Sequence, residues 1–174
     1  MFDVRSLEHS TILYEASTPT SPKLSSSPVN TSSPLLKIAF DPNNAASLAV
    51  IHDGSPNVLL IDIRQPGIPV CEFKAHKAAV NGLTWTSESL ATVSDDGLAL
   101  VWDGSGAFNG SVGRYEGSKQ VPKKGNAVQT RTVRDPMLCY EAGGEINSVA
   151  SGLGGGKEWL ACTVGNSVKV LRVT

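Results

Sequence analysis

The chain has 174 residues, enough to bury one sizeable core. Its 15 Lys and Arg against 16 Asp and Glu leave a net charge of -1, so bulk charge points neither to nucleic acid nor to an acidic tail. The opening "MFDVRSLEHS" lacks a basic stretch followed by an apolar one, and no apolar run approaches the ~20 residues of a membrane span, so a soluble cytoplasmic and nuclear protein with no membrane partner is expected.

In chain order, "MFDVR" (1–5) and "TILYE" (11–15) read as two short strands. Residues 16–34, "ASTPTSPKLSSSPVNTSSP", are dominated by Ser, Thr and Pro and read as a disordered insert. Four Ser/Thr-Pro pairs there, at Thr18, Ser21, Ser27 and Ser33, are candidates for proline-directed phosphorylation, each adding about -1.5 to -2 charge. Strand-like runs then follow: "LLKIAF" (35–40), "SLAVI" (47–51), "NVLLIDI" (57–63), "IPVCEF" (68–73), "VNGLTW" (80–85), "LATVS" (90–94) and "LALVWD" (98–103). A second insert, 104–134, is rich in Gly and carries Arg114, Lys119, Lys123, Lys124, Arg131 and Arg134 against Glu116 alone. It reads as a solvated basic tether rather than a nucleic-acid site. Beyond it lie "MLCYE" (137–141), "INSVA" (146–150), "WLACTV" (159–164) and "SVKVLRV" (167–173). No convincing 3.6-residue apolar period occurs, and turn residues such as "DPNN", "DGSPN" and "DDG" punctuate the runs, so the fold class is all-β.

The three cysteines, Cys71, Cys139 and Cys162, are widely spaced, form no CxxC pair and have no histidine at metal-ligand spacing. They read as buried reduced thiols, and neither a metal nor a cofactor is expected. "SGLGGGK" (151–157) has the look of a phosphate loop, but Glu158 stands where Ser or Thr should follow the lysine, and a strand comes next. It reads as a flexible strand connection.

Aligning the ends of successive third strands puts Asp3, Asp62, Asp103 and Arg172 in register, at spacings of 59, 41 and 69 residues. Discounting the 19 residues of 16–34 and the 31 of 104–134 leaves 40, 41 and 38. A four-stranded unit at that period marks a propeller blade.

Within one such unit, His76 lies before a first strand, Thr92 on the second, Asp96 in the next turn and Trp102 on the third. The set resembles the structural tetrad of the WD-repeat family. Its logic is physical: a buried indole N–H needs an acceptor, a hydroxyl serves, and an imidazole links that hydroxyl to a carboxylate. The departure is Ala75-His76, where the family pattern has Gly-His. Thr92, His76 and Asp96 could alternatively form a hydrolase triad, yet no G-x-S-x-G elbow or oxyanion-donating helix terminus is evident.

Several stretches, "MFDVRSLEHSTILYE", "VNGLTW", "ALVWD", "DPMLCYEAGGEINSV" and "VKVLRV", resemble one branch of that family. It is the branch of small adaptors typified by Transparent Testa Glabra of plants and its cullin-4-associated animal counterpart. The resemblance implies a non-catalytic scaffold that gathers kinases, transcription factors or ubiquitin-ligase parts, or, alternatively, a cullin-4 substrate receptor. It also implies that Arg5 and Arg64, in Asp3-Val4-Arg5 and Asp62-Ile63-Arg64, match the tail of the W-D-x-R box that meets the ligase adaptor. Phe2 and Ile61 replace the tryptophan, and Asp103 is followed by Gly104-Ser105. Otherwise the Asp caps a turn and the Arg is a solvated edge charge.

Because blade strands alternate in direction, connections alternate between two rims. Arg5, Arg64 and the basic insert fall on one, facing an acidic partner. About three blades cannot close a ring that takes 4–8. The expectation is therefore an incomplete propeller, the C-terminal half of a seven-bladed adaptor, with Met1 an internal methionine and the N-terminal half as a partner.

Overall fold

The computed structural model describes residues 12–15, 33–104 and 130–173. Twelve strands run through them: β1 (Leu35–Phe40), β2 (Ser47–His52), β3 (Val58–Asp62), β4 (Cys71–Phe73), β5 (Val80–Trp85), β6 (Ser89–Ser94), β7 (Leu98–Asp103), β8 (Arg131–Val133), β9 (Leu138–Glu141), β10 (Ile146–Gly154), β11 (Lys157–Val164) and β12 (Ser167–Arg172). No helix of the described residues is long and apolar enough to cross a membrane.

The strands make three sheets, ordered β1-β2-β3-β4-β8, β5-β6-β7-β9 and β10-β11-β12. Each is an antiparallel meander, except that β8 joins the edge of β4 in parallel. The three are partial propeller blades, here I, II and III. Their first strands lie side by side, β5 between β1 and β10. Each carries a pairing irregularity at its start, between Leu35 and Lys37, Val80 and Gly82, and Ile146 and Ser148. A bulge at the same place in every unit gives each first strand the same local twist.

Period-2 alternation decides how the blades stack, because successive side chains leave opposite faces of a sheet. From β2 and β3, Ala49, Ile51 and Leu60 face blade II and meet Leu83, Leu90, Leu100 and Trp102 in one buried cluster. Phe73 of β4 packs on the Trp102 ring at 5.0 Å between centroids. The opposite face of blade II, with Ala91, Val93 and Val101, meets Ile146, Val149, Leu160 and Cys162 of blade III. Gly82 sits in this second seam, where an added Cβ would lie 3.0 Å from Val93 Cγ2 and 3.3 Å from Val149 Cγ1. The sheets approach closely there because that position carries no side chain.

The outer faces differ. On blade I, Leu48, Val50 and Ile61 are buried beneath Leu13 and Tyr14, while Ile38 and Phe40, which share that face by register, are 57% and 56% exposed. On blade III, Val168 and Val170 are exposed on the face turned away from blade II.

Four sequence expectations change. Residues 12–15 of "TILYE" are not a strand but a cover over blade I, anchored by Gly67 N–H donating to the Leu13 carbonyl at 2.7 Å. The segment 104–134 is not tether throughout, because Arg131–Val133 forms β8. Its charged flanks masked Thr132 and Val133, β-branched residues of which Val133 packs against the first seam. Cys71 and Cys162 are buried, but Cys139 on β9, the edge strand of blade II, is exposed. Finally, Ser151–Gly154 and Lys157 of "SGLGGGK" are paired strand, not a slack connection.

Gly82→Leu is expected to force the second seam apart and to cost about 1–3 kcal/mol, as overpacking does. A urea midpoint equal to that of the parent would remove the close-approach role assigned to Gly82.

Candidate functional site

The loop from β4 to β5 and the turn from β6 to β7 meet on one rim, where they bring His76, Thr92, Asp96 and Trp102 together. Trp102 Nε1–H donates to Thr92 Oγ1 at 2.9 Å. Thr92 Oγ1 lies 2.8 Å from His76 Nε2, and His76 Nδ1 lies 3.1 Å from Asp96 Oδ2. The indole can only donate and the carboxylate can only accept, so Nδ1 carries a proton toward Asp96, and burial favours the neutral ring, whose Nε2 is an acceptor. In that neutral form the Thr92 hydroxyl donates to Nε2 and Nδ1–H donates to Asp96. Burial pushes His76 below the usual histidine range, although the Asp96 charge and hydrogen bond pull it up.

Asp96 is the pivot of its turn. Its carboxylate also accepts from the backbone N–H of Lys77 at 2.8 Å and of Leu98 at 3.0 Å. Burial alone would raise its pKa, but these backbone donors and His76 hold it below the ordinary carboxylate value. Its neighbour Asp95 has a different role. It is exposed and accepts from the Asn81 side-chain amide. One acid of the pair closes a buried network; the other faces solvent.

The same geometry answers the hydrolase alternative. Thr92 is 0% exposed, its oxygen accepts from the indole, and it lies between two packed sheets. A substrate carbonyl has no route to it. Blades I and III lack the set. Strand register puts Val50 and Ile61 of blade I, and Cys162 and Leu171 of blade III, where blade II has Thr92 and Trp102. Among the described residues no cluster of three or more His, Cys, Asp or Glu could hold a metal ion. Burial raises the Cys71 thiol to about 11 and pushes Cys162 up as well, so both stay protonated.

On the other rim, Asp62 ends β3 with its carboxylate buried. Oδ1 accepts from the Arg64 backbone N–H at 2.9 Å, which closes the turn. Arg64 returns its guanidinium to the same carboxylate, Nε to Oδ1 at 2.9 Å and Nη2 to Oδ2 at 2.6 Å. The side-chain bond from Arg64 is the main reason that Asp62 stays ionised to low pH. The Arg64 side chain remains 68% exposed, so it is neither a free edge charge nor a buried one. It is a guanidinium aimed by its own turn, a pairing that sequence spacing alone did not reveal.

Of the other candidates, Ser33 donates its hydroxyl to the Asp53 carbonyl at 2.8 Å, beside the start of β1. Arg5, Thr18, Ser21 and Ser27 lie outside the described residues, as do 16–32 and 105–129 of the two inserts.

Three stacked meanders with this indole–hydroxyl–imidazole–carboxylate chain define a class of fold, partial blades of a β-propeller, and the curated relatives of the chain are WD-repeat proteins. The chain is 35% identical over 176 residues to the DDB1- and CUL4-associated factor 7 homolog of Dictyostelium discoideum, covering 99% of this chain and 43% of that protein. An uncharacterized WD repeat-containing protein of Schizosaccharomyces pombe is 27% identical over 201 residues, with 99% and 46% covered. No family model matches. The chain spans less than half the length of these curated relatives. Its fold is similar to a chain of the humanized mutant Chaetomium thermophilum Polycomb Repressive Complex 2 bound to GSK126. That match has a TM-score of 0.55 at 12% identity, covering 78% of this chain and 27% of that one.

Asp96→Ala is expected to leave the His76 donor without its acceptor and to cost roughly 1–3 kcal/mol; an unchanged melting temperature would refute the network.

Stability should also depend on pH in a defined direction. Folding lowers the pKa of both His76 and Asp96, so on acidification the unfolded chain binds protons first and the fold weakens. The His76 contribution is complete above about pH 6.5 and declines below it, and that of Asp96 follows below about pH 3.9. Denaturant midpoints measured from pH 8 to pH 4 should show the upper decline in the parent and lack it in His76→Phe.

Proposed function

We propose that this chain is a non-catalytic scaffold that docks protein partners on the rim carrying Arg64. The observation behind this reading is the pairing with Asp62. A guanidinium is costly to order, and here a buried carboxylate fixes it in advance, so the entropy is spent before a partner arrives. An acidic partner surface would meet an aligned fork of donors, which favours fast and selective capture. Kinases, transcription factors and a cullin-ligase adaptor are the partner classes in view. The name of the Dictyostelium relative favours the last, and with it the second reading, a substrate receptor of a cullin-4 ligase. Arg5, in the matching Asp3-Val4-Arg5, is assigned the same role.

We further propose that the outward faces of blades I and III are closed by additional blades. Ile38 and Phe40 at one end, and Val168 and Val170 at the other, are apolar side chains on sheet faces that stack against a neighbour inside the molecule. The N-terminal half of a ring would supply those neighbours. Phosphorylation in 16–34 would add negative charge to the segment that leads into β1.

Arg64→Gln keeps an N–H donor for Asp62 while removing the charge. In the full-length protein it is expected to weaken recovery of cullin-ligase adaptor from lysate several-fold while the protein still melts cooperatively, at a modestly lower temperature. Undiminished recovery would rule out docking through Arg64.

A further inference from the structure

The β10–β11 hairpin is longer than its blade needs. Pairing of β11 with β12 reaches Trp159 and Arg172, with one further bond from Val173 N–H to the Glu158 carbonyl at 2.9 Å, yet β10 and β11 stay paired as far as Gly154 and Lys157. The turn that closes them is Gly155-Gly156, both at positive φ, 60° and 71°. A two-residue turn of this kind follows the natural twist of paired strands, so the glycines define a shaped projection. That projection is fastened to its neighbours. Ser151 Oγ donates to the Trp85 carbonyl at 2.6 Å. Glu158 Oε1 accepts from the Ser87 backbone N–H at 2.7 Å and from the Ser87 hydroxyl. The Asn43 side-chain amide in turn donates to the Ser87 carbonyl. Turns from all three blades are thus locked around one cavity of about 300 Å³.

The lining is chemically asymmetric. Pro42, Trp85 and Leu153 make it apolar, and Leu153, opposite Glu158 on its hairpin, is 77% exposed with no packing role in the blade. The charged group on the wall is Glu158, kept ionised chiefly by the Ser87 hydroxyl. Glu88 and Asp103 stand on the same rim, beside Ser87 and at the end of β7, against Lys157 at the hairpin tip. The volume is at the small end of ligand sites, too little for a cofactor and suited to one large apolar side chain.

We infer that this cavity is a second docking site, which takes a single leucine- or phenylalanine-sized side chain of a partner peptide with a basic residue next to it. The apolar group fills the space between the Trp85 ring and Leu153, and the neighbouring cation meets the carboxylates on the rim. The site is distinct from Arg64, which has the opposite charge preference and follows a third strand rather than lying among first-strand turns.

The test follows the indole N–H signals of the isotope-labelled chain as N-acetyl-Leu-Arg-amide is added to millimolar levels. The Trp85 signal is expected to move saturably while that of buried Trp102 stays in place. N-acetyl-Leu-Glu-amide should bind about fivefold more weakly, the weight of one exposed charge pair. Leu153→Ser and Glu158→Gln should each weaken binding by at least about threefold, with the unmoved Trp102 signal reporting an intact fold. Arg64→Gln should leave it unchanged, so failure here and failure of docking through Arg64 are separable. A Trp85 signal that does not saturate, or an equal response to the Leu-Glu probe, overturns the proposal.

Discussion

One oxygen atom ties the buried Trp102 indole of this molecule to its surface. Thr92 Oγ1 accepts from the Trp102 indole N–H and donates its own hydroxyl to His76, inside a seam lined mostly by apolar side chains. An indole N–H left unmatched between two sheets would cost the desolvation of a whole donor. Matched, it lets the largest side chain in the core lie across both blades. The chain of bonds then leaves the core through the imidazole and ends on Asp96, which holds the β6–β7 turn through the N–H groups of Lys77 and Leu98. Burial of one aromatic ring and the shape of a surface turn are therefore set together.

The other blades show that stacking itself does not require this chain. At the matching places blade I has Val50 and Ile61, and blade III has Cys162 and Leu171. Both alternatives bury apolar volume with no polar group to satisfy, which is the less demanding solution. What all three blades keep is the bulge near the start of the first strand and the in-and-out alternation of the second. Those features set how sheets meet, whereas the tetrad specifies how one turn is held.

Much of this was legible in the sequence because period 2 and turn residues survive in short runs. The strands of blades I and II and the placement of His76, Thr92, Asp96 and Trp102 rest on such local signals. What escaped notice depends on pairing between distant segments. β8 is three residues inside a basic stretch, and it is a strand only because β4 offers an edge 60 residues earlier. Ile12–Glu15 looks like a strand but finds no partner edge, and instead lies across a face. The exposure of Cys139 follows from its strand being the last in its sheet, a fact of order rather than composition. The glycines of 151–157 suggested slackness, whereas two left-handed residues in sequence produce a tight hairpin. The Asp62–Arg64 fork was visible as spacing, but not the burial of the carboxylate that gives it direction.

β8 also has a consequence for how the chain is made. It belongs to the connection between β7 and β9, yet it completes the edge of blade I, with Thr130 Oγ1 donating to the Pro69 carbonyl at 2.8 Å and Lys74 N–H donating to the Val133 carbonyl at 2.8 Å. Blade I, although encoded before blade II, has an unfinished edge until residue 133 has left the ribosome. Repeat units with only neighbour contacts can mature one at a time as they emerge. Here the long closure from β4 to β8 must wait for most of blade II, and such distant pairings are slow to form. During synthesis blades I and II are therefore obliged to finish together, and until β8 arrives the edge of β4 presents unpaired backbone donors and acceptors.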